Sequence, residues 1–177
     1  MPEDSLRRAV SRFARYNRGA NARLYAACAE LSDAERRQPR KAFFTSIHGT
    51  LNHIMVGDRI WLSRFRGVPM PSMNLDAILF DAFDALRAER QALDDDIIAF
   101  ADALTPAFLD GILQYVSNAG VASADPAAVL ILHFFNHQTH HRGQVHDMLT
   151  QTGIPTPVLD MHVILRDEPL PPPLALT

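Results

Sequence analysis

The chain has 177 residues, a length that fits one domain with a substantial hydrophobic core. Its 47% hydrophobic and 21% charged residues are ordinary for a globular protein, and a net charge of −3 gives no overall pull toward nucleic acid or anionic lipid. A single cysteine, Cys28, excludes an internal disulfide framework, and no segment approaches the roughly 18 uninterrupted apolar residues of a membrane span.

The acidic start, Met1-Pro2-Glu3-Asp4, runs into an Arg-rich stretch without an apolar run of signal-peptide type. With the lone cysteine, this gives the expectation of a cytoplasmic protein. Eight histidines against one lysine, Lys41, is the compositional oddity.

The first predicted helix spans about 5–31, entered through Asp4 or Ser5 as N-cap and ending before Ser32-Asp33. Its Arg7, Arg8, Arg12, Arg15, Arg18 and Arg23 interleave with Val10, Phe13, Tyr16 and Leu24 and describe a solvated face. An acidic chain without a reading motif argues against nucleic acid as a partner. Cys28, among Ala26, Ala27 and Ala29, reads as a packed core residue.

The second helix is predicted over about 43–65, with Ile47, Ile54 and Trp61 recurring every seven residues and Gly67 and Pro69 as the stop. The third is expected from near Asp76 to about Leu104, on the helical spacing of Leu79, Phe83, Leu86, Leu93 and Ile97. Residues 112–121 read as a short extended segment with an Asn/Gly turn, a small hairpin. The fourth helix has Asp125 as N-cap and Pro126 at N1, with Gly153 and Pro155 closing it. A short fifth helix is expected around 159–165, and the segment 169–177, with Pro171-Pro172-Pro173, as a mobile tail. The whole is an all-α, up-down four-helix bundle in one domain, residues 1–168.

Five histidines fall in the fourth helix: His133, His137, His140, His141 and His146. At about 100° per residue, with His137 as zero, His141 lies near +40°, His133 near −40°, His140 near −60° and His146 near 180°. The apolar residues Leu130, Phe134, Val145 and Met148 lie between about +20° and +80°, so His137 and His141 face the buried side. A single histidine on such a face is usually a hydrogen-bonded core residue. Two at i,i+4 are harder to satisfy without a shared partner, because each buried ring nitrogen needs its own. Imidazoles at this spacing can converge on one ion. The metalloprotease helix motif places a general-base Glu directly after the first His; here that residue is Gln138, which does not support protease-like water activation.

Two motifs carry a resemblance: Leu51-Asn52-His53-Ile54-Met55-Val56-Gly57-Asp58-Arg59-Ile60-Trp61-Leu62, and Asn136-His137-Gln138-Thr139-His140-His141-Arg142-Gly143-Gln144. Together with Tyr16-Asn17, Asn21 and the stretch 115–120, they resemble the DinB-like (DinB/YfiT) superfamily of metal-binding helical bundles over about residues 5–166. The resemblance implies a three-histidine metal site at His53, His137 and His141. The wheel supports the second and third but places His48 and His53 about equally far from the apolar centre. Small neighbours of His53, Thr50 and Gly57, leave space for an ion there.

Three neutral imidazoles suit zinc, nickel, iron or copper, and leave positions open for water or substrate, the pattern of catalytic sites. Asn136, His140 and Gln144 are candidates for fixing imidazole tautomers. Some relatives are implied to be thiol-dependent transferases or isomerases, in which a small thiol binds the metal and loses its proton. The resemblance therefore implies a metal-dependent transferase or hydrolase using a low-molecular-weight thiol or water, on a small-molecule substrate not named by the sequence. The other reading is a non-enzymatic stress-response or metal-sensing protein. No acid/base partner is legible, since neither Asp58 nor Asp147 clearly faces the ion on the wheel. A homodimer is expected because relatives in the superfamily commonly pair.

Overall fold

Four long helices carry the fold, as the apolar spacing predicts. In chain order the elements are α1 (Glu3–Ala29), α2 (Asp33–Arg37), α3 (Ile47–Arg66), α4 (Phe83–Ala103), α5 (Pro106–Leu109), β1 (Ile112–Val116), β2 (Ala122–Pro126), α6 (Ala127–Thr150) and α7 (Met161–Ile164). The computed structural model describes residues 3–69 and 73–166; the expected tail at 169–177 lies outside them. α1 packs against α4 and α6, and α3 packs against the same two helices, so the four surround a common interior. None of the described helices is long and apolar enough to cross a membrane.

The ends of the elements correct several expectations. α1 already includes Glu3, so neither Asp4 nor Ser5 caps it. It stops at Ala29, and Ser32 then caps the short α2 in a reciprocal capping box with Glu35. α3 begins at Ile47 and not near 43, because the Ser46 side chain accepts from the backbone N–H of Gly49. It ends on Gly67 at φ 64°, a left-handed conformation that glycine adopts without steric cost. α4 begins at Phe83, seven residues after the expected start at Asp76. The missing turns are held open by Asn52 of α3, which accepts from the backbone N–H of Phe80 at 3.0 Å and donates to its carbonyl at 3.3 Å.

The hairpin is present, with Ile112 opposite Pro126 and Val116 opposite Ala122. Asp125 is therefore a strand residue opposite Leu113, and its carboxylate accepts the Tyr115 hydroxyl at 3.0 Å, so it does not cap α6. Pro126 takes the capping position without a side-chain hydrogen bond. At its other end α6 stops at Thr150, with Gly153 at φ 79° just beyond.

The core divides in two along the bundle. Val10, Leu62, Phe65, Ile97, Leu130 and Phe134 pack in one cluster; Leu24, Cys28, Leu51, Met55, Leu86 and Met148 pack in the other. Between these positions on the same four helices lies a buried polar layer. Asp58 accepts from Arg90 at 2.5 Å and from Gln138 at 2.8 Å. Arg90 also pairs with Asp94 at 2.8 Å, Asp94 accepts from Asn17 and Asn21, and Arg142 donates to Asn17. Burial pushes Asp58 and Asp94 above the ordinary carboxylate range, while the Arg90 guanidinium between them opposes that shift.

Candidate metal centre

His53 on α3 and His137 and His141 on α6 project into the seam between these helices, beside the polar layer. The Nε2 atom of His53 lies 3.2 Å from that of His137 and 3.1 Å from that of His141. Metal–nitrogen bonds of about 2.0–2.1 Å in tetrahedral array separate their nitrogens by about 3.3 Å. Both spacings are close to that of two ligands on one ion, and the ligand nitrogens of all three histidines lie within 4.8 Å of one another.

Tautomers decide what these nitrogens offer. His53 Nδ1 lies 2.7 Å from the Leu75 carbonyl, which can only accept, so Nδ1 carries the proton and Nε2 presents a lone pair. His141 Nδ1 donates to Gln144 Oε1 at 2.8 Å, which likewise leaves its Nε2 bare, and Gln144 Nε2 donates onward to His140 Nε2 at 3.2 Å. Burial keeps the rings neutral. It pushes His137 down to about 3, reinforced by His141 and His53, and pushes His141 down to about 4 against the Gln144 hydrogen bond. His53 is lowered too, by burial and against the Leu75 carbonyl. Two bare lone pairs 3.1 Å apart, with no proton between them, repel unless a cation lies between. The residues fit a divalent metal ion.

Two further features hold the rings. The Phe44 ring stacks on His53 with centroids 3.6 Å apart, and meets His141 edge-on at 5.6 Å. Gly57 makes room for His137: a Cβ there would lie 2.7 Å from its Cε1. Gly57→Ala is therefore expected to displace the His137 ring and weaken metal binding by about tenfold or more, as outer contacts to metal ligands do. The unfolding temperature of the metal-free variant should stay close to wild type, because the atom it meets ends a side chain that can turn aside. Unchanged metal affinity in a competition titration would refute that role.

Residues 1–169 match the model of the DinB family. The chain belongs to the DinB family. No curated protein and no solved structure matches it. Among the other histidines, His48 is 1% exposed and stays outside the three-histidine cluster, although the wheel could not separate it from His53. His133 also lies outside, exposed with its ring 5.2 Å from Trp61, and His146 turns to the Pro157 carbonyl at 3.1 Å. Of the three tautomer candidates, Gln144 bonds His141 directly and His140 bonds Gln144, whereas Asn136 is exposed.

The packed position expected of Cys28 is borne out. Cys28 is fully buried in the core and its thiol is pushed up to about 12 by burial, which makes it inert at neutral pH. Asp58 is committed to Arg90 and Gln138, and Asp147 is exposed. Asn17, Asn21 and Arg142, by contrast, form the buried layer, a role the sequence reading did not assign. The available signal was their i,i+4 spacing within apolar stripes: Arg90 and Asp94 sit between Leu86 and Ile97 on the buried face of α4.

The lowered histidines set an acid limit on the metal-free protein. In the unfolded chain each titrates near 6.5, but in the folded chain His137 and His141 titrate near 3 and 4. Between those values the unfolded state binds more protons, so stability is full above about 6.5 and is lost as pH falls toward 4. The unfolding temperature of metal-free protein should drop by several degrees from pH 7 to pH 4.5. Replacing His137 and His141 by Gln should flatten that slope; an equally steep slope in the double variant would assign it to other groups.

Proposed function

We propose that the chain binds one divalent transition-metal ion through Nε2 of His53, His137 and His141. We further propose that it is a metal-dependent transferase or hydrolase working with a small thiol or water. The observation that carries this reading is the pair of bare Nε2 lone pairs of His53 and His141 held 3.1 Å apart, with His137 Nε2 completing the set. Zinc, nickel and iron all suit three neutral imidazoles. When bound, the ion supplies Lewis acidity at an open position, where a thiol or water loses its proton near neutral pH.

The protein's own part is to hold the ligand set. Leu75 fixes the tautomer of His53, Gln144 fixes that of His141, and Gly57 admits the ring of His137. Phe44 shields one face of His53 from water. Among the described residues no carboxylate and no thiol joins the cluster. Cys28, buried and with a high pKa, offers no nucleophile of its own.

The test is elemental analysis of purified protein, followed by titration of the cobalt-loaded form with 2-mercaptoethanol. One metal ion per chain and a sulfur-to-cobalt absorption band are expected. Metal that shows no response to the thiol would favour a structural or sensing ion. Failure of the protein to hold any divalent metal would remove the proposal altogether.

A further inference from the structure

The turn ahead of α3 presents aromatic surface in an unusual way. Phe43 is 83% exposed, and two residues on, Thr45 has φ 60°, a left-handed conformation that is costly for a β-branched residue. The turn is nevertheless firmly closed. Thr45 donates to the Ala42 carbonyl at 2.9 Å and accepts from Arg40 at 2.6 Å, and Ser46 donates to the Phe44 carbonyl at 2.7 Å. Backbone strain held by this many bonds fixes where Phe43 and Phe44 stand.

Phe43 and Phe44 line a cleft of about 570 Å³ together with Leu75 and Ile78. Phe43, Leu75 and Ile78 are 83%, 45% and 47% exposed, an apolar cluster open to solvent. Among the described residues no lysine or arginine lines the cleft, and Asp76 is the one carboxylate that does. The cleft borders the histidine cluster through two residues of its lining: the Phe44 ring stacks on His53, and the Leu75 carbonyl accepts from His53 Nδ1.

We infer that this cleft receives the apolar arm of the compound whose polar head reaches the three-histidine centre, and that the arm is an uncharged aryl or alkyl group. The inference rests on the metal reading above and adds the substrate class. An anionic arm would meet Asp76 with no cation to offset it, and a small polar arm would leave Phe43, Leu75 and Ile78 in water. An aryl or alkyl arm buries all three.

Two thiols of similar acidity test this on the cobalt-loaded protein: 2-mercaptoethanol, and phenylmethanethiol with its benzyl arm. The sulfur-to-cobalt band reports both. Phenylmethanethiol should bind about tenfold more tightly, the gain from burying part of a phenyl ring. In Phe43→Ser and in Ile78→Ser that ratio should fall toward one, while the affinity for 2-mercaptoethanol and the cobalt content stay at wild-type level. Both side chains are exposed, so neither substitution removes core packing. Equal affinity of the two thiols in wild type would overturn the inference and leave the metal reading standing. A tenfold preference that survives in both variants would place the arm elsewhere and overturn it as well. No band with either thiol would overturn this inference together with the proposed open site.

Discussion

Alanine at His53, His137 or His141 is expected to abolish stoichiometric metal, whereas His133→Ala and His146→Ala retain it. A four-ligand zinc site stabilises its ion by roughly 10–16 kcal/mol, so each ligand accounts for about 3 kcal/mol and its loss costs on the order of 100-fold in affinity. Gln144→Leu should lie between these extremes, at about 10–100-fold, because His141 keeps its Nε2 but loses the acceptor that fixes its tautomer. His133 meets Trp61 edge-on and His146 bonds the Pro157 carbonyl, and neither joins the cluster. Metal content by elemental analysis after dialysis, with folding checked by circular dichroism, separates the three classes. Full metal in His141→Ala would show that the α6 pair is wrong, with His133 and His137 next to consider.

The parts of this centre were legible to different degrees, for physical reasons. His137 and His141 stand out because both lie on α6 and the i,i+4 relation is local; a helix wheel is enough to bring them together. His53 is different. Its separation from His48 depends on the Leu75 carbonyl, 22 residues later, and on the Phe44 ring from the preceding turn, contacts that no periodicity encodes. The family resemblance supplied what the wheel could not. The late start of α4 has the same origin: Leu79 keeps helical spacing with Phe83, but the Asn52 side chain claims the Phe80 backbone first. Asp125-Pro126 has the grammar of a helix entry, yet the hairpin register gives Asp125 a tyrosine partner. The four long helices survived these errors because each is set by many apolar positions and depends on no single cap.

Removing the Arg90 side chain with Arg90→Met is expected to cost about 3–5 kcal/mol of stability, the range for breaking a buried ion pair from one side. In a chain of this size that lowers the unfolding temperature by roughly 10 °C. Arg90 is 2% exposed, and its partners Asp58 and Asp94 are 0% and 2% exposed, so both carboxylates would remain buried without their cation. Asp58 would keep Gln138, and Asp94 would keep Asn17 and Asn21. Amide donors offset only part of a buried negative charge. The variant also carries a pH signature that a simple packing defect would lack. Burial already raises both carboxylates in the native chain, and Arg90 is the charge that opposes it. Without Arg90 their folded pKa values rise further above the unfolded value near 3.9, so the folded state binds more protons than the unfolded one. Stability of Arg90→Met relative to wild type should therefore improve as pH falls from 7 toward 5, the opposite sign to the histidine effect. Adding Asp58→Asn and Asp94→Asn should recover part of the loss at pH 7 and erase the pH dependence of the difference. A stability gap between Arg90→Met and wild type that stays constant from pH 7 to pH 5 would show that the loss comes from packing and that the carboxylates are not left uncompensated.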